Sequence, residues 1–426
     1  MDRWRRHGLA GATALAALLL TAPPAAASPG PAPTVSRIEF QGNERTREAV
    51  LLREMALAPG EPADPDRLRA SAQAIRDLGL FREVEVDTRP DGDGVAVVVR
   101  VREKRYLLVI PRGDLDDALD FSIGVQLKRD NLFGRNHSLD VFAETGRYDA
   151  DRLRQSEDRY RIRYDAPYLW NGTTGLVMSL EHADRLAPAE AGEFREKIDR
   201  SQLLVTHDFR QTRPRRGWIG SAGLFWQDQD TRGEDAPVPD GQATAAVVGA
   251  VFSDVRFNVY SETGRRFDAR LEVARDSWAS DYGYRRVELR HIDRFPIGGI
   301  EHQNLNLLAA AGWMGGGPGR VDAFDLGGAS RLRGYESDYI QGQRYAYLGA
   351  EYLRPLFGRN WLRGLVVAEV GATGNSVEDA RSGGPYASIG VGARIRLTWF
   401  VNADLEIGVA QPLRGGDGPR LFLRGL

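Results

Sequence analysis

From Lys104 to the C-terminus, apolar and polar residues alternate in one segment after another. The segment RRFDARLEVARD shows the pattern most clearly. Phe267 and Leu271 lie on one face of an extended chain, and Arg266 and Asp268 lie on the other. Alternation with a period of two predicts a β-strand whose two faces meet different surroundings. One such strand could belong to a soluble sandwich or to a membrane barrel.

The number of alternating segments distinguishes these two folds. We predict strands at residues 104–112, 118–128, 136–146, 156–166, 173–184, 193–208, 216–229, 243–256, 266–278, 284–294, 302–314, 343–354, 362–373, 385–396, 400–411 and 419–425. The sixth and seventh of them alternate least clearly. An even number of strands is typical of single-chain bacterial outer-membrane barrels, whose apolar face meets lipid and whose charged face lines the lumen. The pattern therefore predicts an antiparallel transmembrane β-barrel of about 16 strands over residues 104–426.

Residues 35–103 follow a different pattern. A strand, two helices and two further strands are predicted in this order. Asp64 is a good N-cap for the second helix, Pro65 suits its first turn, and Leu68 and Ile75 share one apolar face. Helices and strands in this order indicate a small α+β domain.

The first 27 residues have the features of a secretory signal peptide. The segment MDRWRRHG is basic, LAGATALAALLL is apolar, and small residues precede Ser28. A transmembrane anchor, the alternative, needs roughly 18 or more apolar residues in a row. We therefore expect residues 1–27 to be removed after export.

Composition excludes several classes of function. The chain has no cysteine, which rules out disulfides and thiolate metal sites. Its formal charge is −2, with both signs spread along the chain, so it has no basic stripe for nucleic acid. It also has no G-x-S-x-G, H-E-x-x-H or phosphate-loop motif. We predict no enzymatic activity, no catalytic residue, no metal ion and no cofactor.

Several stretches resemble a known family. IEFQGN, DLGLFREVEV and VRVREK, all within residues 35–104, are similar to one POTRA repeat, the periplasmic module of the BamA/TamA outer-membrane assembly superfamily. The turn NLFGRN resembles the inner turns of the barrels in that superfamily. The resemblance implies a periplasmic POTRA-like domain at 35–103, which accepts client segments by strand addition at an open sheet edge. The alternative is an α+β domain of no special role.

One long connection, Gly315 to Gly342, has no strand or helix period of its own and contains GGASRLRGYESD. Leu332-Arg333-Gly334-Tyr335 within it matches the hydrophobic-Arg-Gly-aromatic motif of the superfamily. The match implies a loop tip that folds back into the lumen and is fixed to the barrel wall by the arginine.

The expected partner of Arg333 lies two strands further on. The family has an acid in an aromatic-x-Asp-x-Gly stretch, and here VAEVG places Glu369 and Gly371 at the matching positions. Alternation independently turns Glu369 into the lumen. Glu351, with Tyr345 and Tyr347, could share the same network. Two roles remain open for Arg333, namely a purely stabilising ion pair and a part in barrel plasticity.

Three functions are compatible with the sequence. The first is an assembly factor that inserts other barrels through a weak seam between the first and last strands. The second is a pore that exports a separate passenger polypeptide, and the third is a passive channel or surface antigen. The first two are favoured because a passive pore needs neither the POTRA-like domain nor the loop motif. The expected partners are the outer-membrane bilayer, unfolded client or passenger polypeptides and periplasmic accessory proteins.

Overall fold

The structure is a computed structural model. It describes residues 32–117, 120–148, 155–169, 172–189, 192–232, 240–317, 324–337, 339–375, 384–401 and 403–425. The signal peptide predicted at residues 1–27 lies outside these ranges.

The N-terminal unit has the predicted order of elements. Its elements are β1 (Val35–Gln41), α1 (Glu48–Leu52), α2 (Pro65–Asp77), β2 (Phe81–Asp91) and β3 (Gly94–Glu103). The sheet order is β1-β3-β2, with β1 parallel and β2 antiparallel to β3. The Asp64 carboxylate accepts a hydrogen bond from the Asp66 amide, so the predicted N-cap of α2 is confirmed. Neither described helix is long and apolar enough to cross a membrane.

The strands that follow form one large antiparallel sheet and one short separate hairpin. Their bounds are β4 (Leu107–Asp117), β5 (Asp120–Leu132), β6 (His137–Tyr148), β7 (Gln155–Ala166), β8 (Thr174–Ala189), β9 (Gly192–Asp208), β10 (Gly217–Arg232), β11 (Gly241–Ser253), β12 (Arg256–Asn258), β13 (Ser261–Ala274), β14 (Tyr284–Pro296), β15 (Asn304–Gly316), β16 (Phe324–Leu326), β17 (Ile340–Gly342), β18 (Arg344–Leu356), β19 (Arg359–Gly374), β20 (Tyr386–Arg396), β21 (Asp404–Pro412) and β22 (Arg420–Gly425).

In the described residues, sixteen strands, β4–β11, β13–β15 and β18–β22, form the barrel, and the three-residue β12 pairs with the start of β13 at one turn. The sheet order returns from β22 to β4, so the first and last strands meet at the seam. The predicted barrel of about 16 strands is confirmed. The alternation is confirmed as well, because lipid-facing Leu348 is 58% exposed whereas its neighbour Tyr347 is 3% exposed.

The long loop is more ordered than its sequence predicts. Its two ends, β16 and β17, pair with each other in antiparallel register, with Phe324 opposite Gly342. A loop whose sequence has no strand period thus contains a short hairpin. Strands of three residues are too short to give a recognisable alternation, so the sequence could not reveal this hairpin.

The N-terminal unit and the barrel share a hydrophobic core. Val401, in the turn between β20 and β21, packs with Leu51, Ile75 and Phe81 of the N-terminal unit. In the same turn, the Trp399 carbonyl accepts a hydrogen bond of 2.7 Å from the Arg105 amide. The unit is thus fixed to the end of the barrel at which β4 begins.

Candidate functional site: the arginine motif inside the barrel

The loop between β15 and β18 folds into the lumen and buries the Leu332-Arg333-Gly334-Tyr335 motif. Leu332 is completely buried in an apolar cluster with Leu326, Met314, Tyr345 and Tyr347. Leu332 has a φ of +55°, an uncommon conformation for a residue with a side chain. The cluster anchors the loop hairpin on the inner faces of β15 and β18.

Arg333 contacts Glu369 through both its backbone and its side chain. The Arg333 amide donates to Glu369 Oε2 at 2.8 Å, and Nη1 donates to Glu369 Oε1 at 2.8 Å. Two charge-assisted hydrogen bonds from one residue fix the orientation of Arg333 relative to the Glu369 carboxylate as well as their separation. The predicted arginine and its predicted wall partner therefore lie side by side.

Arg333 also contacts two further carboxylates. Nη2 donates to Glu351 Oε1 at 2.6 Å and lies 3.5 Å from Glu406 Oε2. Arg394 pairs with both glutamates from the other side, at 2.8 Å from Glu351. One loop arginine thus connects the inner faces of β18, β19 and β21.

Neutral donors also bind two of the carboxylates, Glu369 and Glu351. The Tyr347 hydroxyl donates to Glu369 Oε1 at 2.7 Å, and the Ser388 hydroxyl to Oε2 at 3.3 Å. Asn306 donates to Glu351 Oε2 at 3.1 Å. Buried carboxylates need several donors. A carboxylate oxygen that has lost its hydrogen bonds to water and finds no donor in the protein lowers stability.

The network is dry, although the lumen of a large barrel is generally wet. The side chains of Arg333 and Glu369 are each 1% exposed, and that of Glu406 is 0% exposed. The loop hairpin therefore keeps water away from these three side chains. Each ion pair is therefore stronger than a surface pair, and each charge costs more if its partner is removed.

Gly334 and Gly371 allow the close approach of loop and wall. A Cβ atom on Gly334 would lie 2.7 Å from the Pro412 nitrogen and 2.9 Å from Ser388 Cβ. A Cβ atom on Gly371 would lie 2.8 Å from Leu326 Cδ1. Both motif glycines thus sit where a side chain would push the loop away from the wall.

Tyr335 fixes the outer end of the motif. Its hydroxyl donates towards the Arg414 and Ala387 carbonyl oxygens, at 2.7 and 2.9 Å. Its ring packs against Tyr339 and Tyr386, with centroids 4.9 and 5.7 Å away. The loop is therefore held by the strands on the C-terminal side of the barrel.

Arg331, the other arginine of the loop, lies outside the carboxylate network. Its guanidinium carbon is 5.3 Å from the Tyr345 ring centroid. The Tyr345 hydroxyl donates to Glu288 at 2.8 Å, so it binds a different acid from Tyr347. The structure brings Glu351 and Tyr347 together with Arg333, and it places Tyr345 in the apolar cluster beside them.

Sequence reasoning missed two members of the network, Glu406 and Arg394. In DLEIGV, alternation already turns Glu406 away from Leu405 and Ile407, and Arg394 alternates with its neighbours in the same way. The sequence does not show the path of the loop. That path brings Arg333 close to Glu406 and Arg394 rather than to other charged residues of the lumen.

The motif also reaches the terminal strand. The Arg333 guanidinium carbon lies 5.6 Å from the ring centroid of Phe422 on β22. Glu336 of the loop pairs with Arg420 at 2.6 Å. The loop thus contacts the strand that forms one side of the seam. Within the described ranges, no group of three or more His, Asp or Glu side chains is arranged to hold a metal ion.

Comparisons with known proteins agree with this architecture. A family model for POTRA, the surface antigen variable number repeat, matches residues 33–104. Outer envelope protein 80, chloroplastic, from Oryza sativa subsp. japonica is 23% identical over 361 residues, 77% of this chain and 51% of that protein. The outer membrane protein assembly factor BamA of Neorickettsia risticii (strain Illinois) is 30% identical over 108 residues, 25% of this chain and 15% of that protein. The chain spans about half the length of the first relative and less of the second.

Two solved structures share the fold. The structure of BamA from Haemophilus ducreyi lacking POTRA domains 1-3 superposes with a TM-score of 0.54 at 14% identity, covering 92% of this chain and 84% of that one. CdiB from Escherichia coli gives a TM-score of 0.60 at 14% identity, covering 96% and 92%. The POTRA domain lies on the periplasmic side of an outer-membrane barrel. The chain thus carries a POTRA repeat at residues 33–104, shares its barrel fold with BamA and CdiB, and resembles outer envelope protein 80 over most of its length.

Proposed function

We propose that this protein assists the folding and insertion of other outer-membrane proteins. The observation that carries the proposal is the loop motif locked on the strands next to the seam, in a barrel that carries a POTRA domain. The clients are unfolded outer-membrane polypeptides, and periplasmic accessory proteins deliver them. The proposal involves no catalysis by the chain.

The open edge of the POTRA sheet supports client recruitment. The order β1-β3-β2 leaves β1 and β2 at the edges. The start of β1 is covered, because Val35 donates to the Glu61 carbonyl at 2.9 Å. In the described residues, the outer edge of β2 has no paired strand, and strand addition gives affinity through backbone hydrogen bonds.

The seam supports insertion from the side of the barrel. The terminal strand β22 pairs with β21 over six positions, whereas β8 and β9 pair over sixteen. A strand that spans a bilayer needs about 9 to 11 residues. We infer that the short last strand can separate from β4 at a lower free-energy cost than an ordinary neighbour.

Export of a passenger through the lumen is the second candidate. It needs a path past the loop, and the loop is held by the dry Arg333 network. Insertion at the seam leaves that network intact, so the buried ion pairs favour assembly over export.

The test is a folding assay with the full-length protein in lipid vesicles. Urea-unfolded client barrels should fold faster in vesicles that contain the protein than in empty vesicles. Because the chain has no cysteine, single cysteines can carry a photo-crosslinker at chosen sites. Glu85→Cys on β2 should capture the client, and Arg69→Cys, on an exposed position of α2, is the matched control.

Each alternative gives a different result. Export would deliver a passenger polypeptide into the vesicle interior without faster folding of barrels. A passive channel would conduct ions, and it would neither speed the folding of client barrels nor export a passenger polypeptide. Equal capture from Glu85→Cys and Arg69→Cys would contradict recruitment at the β2 edge.

A further inference from the structure

A cavity lies between the arginine motif and the periplasmic end of the lumen, and Glu351 and Arg394 of the carboxylate network are among its lining residues. It has a volume of about 220 Å³. Its position follows from the strand bounds, because Asn304 is the first residue of β15 and Arg396 is the last residue of β20, and both lie at this end. Its charged lining residues are Glu262, Arg290, Arg294, Glu351, Arg363, Arg394, Arg396, Asp404 and Arg424.

Positive charge is in excess in this cavity. Six arginines line it together with three carboxylates. Glu406, which pairs with Arg394 from the rim, reduces the excess to two charges. Like charges that lie close together inside a protein repel one another.

Three of the six arginines have carboxylate partners. Arg294 lies 3.3 Å from Glu262, Arg394 lies 2.8 Å from Glu351, and Arg396 lies 2.6 Å from Asp404. The other three are Arg290, Arg363 and Arg424. In the part of the chain that the structure describes, none of these three forms an ion pair.

Arg363 is the most informative of the three. It is 1% exposed, and it is among the largest completely buried side chains of the described residues. Its Nη1 donates to Asn304 Oδ1 at 3.0 Å, while its Nε has no hydrogen-bond partner. A buried charge without a counter-ion is strongly unfavourable. Arg363 therefore needs a negatively charged partner, and the described residues do not supply one.

An oxyanion would supply the missing charge. A guanidinium presents several N–H donors in one plane, which match the oxygens of a phosphate or sulfate group. Arg290, Arg363 and Arg424 come from β14, β19 and β22, so they approach the cavity from different sides. A cavity of about 220 Å³ has room for a tetrahedral oxyanion and several waters.

We propose that this cavity binds a small multivalent oxyanion of the phosphate class, with Arg363 as its main contact. Arg290 and Arg424 face the same anion from the neighbouring strands. The bound anion joins β14 and β19 to the terminal strand β22 and so stabilises the closed seam. Nothing in this proposal depends on which client the barrel handles.

Phosphate-induced stabilisation of the full-length protein in detergent tests the proposal. Sodium phosphate should raise the thermal unfolding midpoint more than sodium chloride at equal ionic strength. Arg363→Gln should weaken phosphate binding about tenfold, because it removes charged hydrogen bonds. Arg424→Gln, at a less buried position, should give a smaller loss and remains informative if Arg363→Gln folds poorly.

Arg163→Gln is the matched control, because Arg163 is a lumen arginine that lines a different cavity. It should leave the response to phosphate unchanged. A response of Arg363→Gln equal to that of wild type, or equal effects of phosphate and chloride on wild type, would overturn the proposal.

Native mass spectrometry distinguishes two sources of the anion. The protein purified in phosphate-free buffer is mixed with inorganic phosphate or with a short-chain anionic phospholipid. An Arg363-dependent adduct of phosphoric acid assigns the site to the free ion. An Arg363-dependent phospholipid adduct assigns it to a lipid headgroup, and the absence of both adducts contradicts the site.

Discussion

The two halves of the lumen differ although their strands have the same alternating pattern. On the side of β18–β21, the loop covers the wall, and Arg333 and Glu369 are each 1% exposed. On the side of β5–β9, a cavity of about 650 Å³ remains, and Arg163 lies 3.6 Å from Asp165 with side chains 47% and 37% exposed. The difference shows that alternation determines which residues face inward, and the loop determines which of them are dry.

Water explains why this difference matters. In the open half, each charge keeps its hydration, and an ion pair at 3.6 Å contributes little. Around Arg333, the carboxylates have their partners within the protein, and removal of one partner leaves the others unpaired. Similar residue types therefore give tightly paired, buried charges in one half of the barrel and hydrated, loosely paired charges in the other.

Arg333→Ala is expected to have the largest effect. It leaves Glu369 without its cationic partner and Glu351 and Glu406 with Arg394 alone, and should lower the free energy of unfolding by about 3 to 5 kcal/mol. Arg163→Ala in the open half should cost about 1 kcal/mol or less. Urea unfolding in lipid vesicles measures both, and equal losses would contradict the difference between the halves.

Glu369→Ala should have a smaller effect than Arg333→Ala. Arg333 keeps Glu351 and Glu406 as partners, so the expected loss is about 2 kcal/mol. The double variant should be little worse than Arg333→Ala alone, because members of one network are not additive. Additive losses in the same unfolding assay would show that Arg333 and Glu369 act independently.

Gly334→Ala tests the close approach of loop and wall. Its methyl group would meet the Pro412 nitrogen and Ser388, and overpacking of this kind costs about 1 to 3 kcal/mol. Gly299→Ala is the control, because a Cβ atom on Gly299 meets no atom within 4 Å. Protease cleavage of the loop should increase only in Gly334→Ala. Identical cleavage of the two variants would exclude a tight contact.

Lys104 tests whether the buried region extends to the contact between the N-terminal unit and the barrel. Its substitution should have the smallest effect on the free energy of unfolding. Burial lowers the pKa of Lys104 from 10.5 to about 8, with a contribution from Arg396 that Asp404 and Asp130 oppose. Between pH 8 and 10.5 the folded state binds fewer protons than the unfolded state, so stability rises with pH.

From pH 7 to pH 9, the gain attributable to Lys104 should be about 1 kcal/mol. Lys104→Met should lose this part of the pH dependence in the unfolding assay. A pH profile of Lys104→Met that matches wild type would place Lys104 in contact with water.

The sequence predicted the fold well because its signals are local. Alternation placed the strands within a few residues, and Asp64 and Pro65 marked the start of α2. It also turned Glu369 and Glu351 inward. Every strand of a membrane barrel has the same alternation of lipid-facing and lumen-facing residues, so each strand supports the same prediction.

The sequence was less informative where distant segments meet. Glu406 and Arg394 join Arg333 only because the loop crosses the lumen towards β20 and β21. Val401 packs into the POTRA core because a barrel turn meets a domain about 300 residues earlier in the chain. No local pattern encodes contacts of this kind, since each depends on closure of the barrel.

Hydrogen exchange of the loop amides tests the central claim most directly. The amides of Gly328, Arg333 and Tyr335 donate to Tyr335, Glu369 and Leu332. In the wild-type protein they should exchange as slowly as the amides of β18 and β19. In Arg333→Ala they should exchange as fast as those of the outer turn at 275–283. Fast exchange of these amides in wild type, or slow exchange in Arg333→Ala, would contradict a loop that the arginine holds inside the barrel.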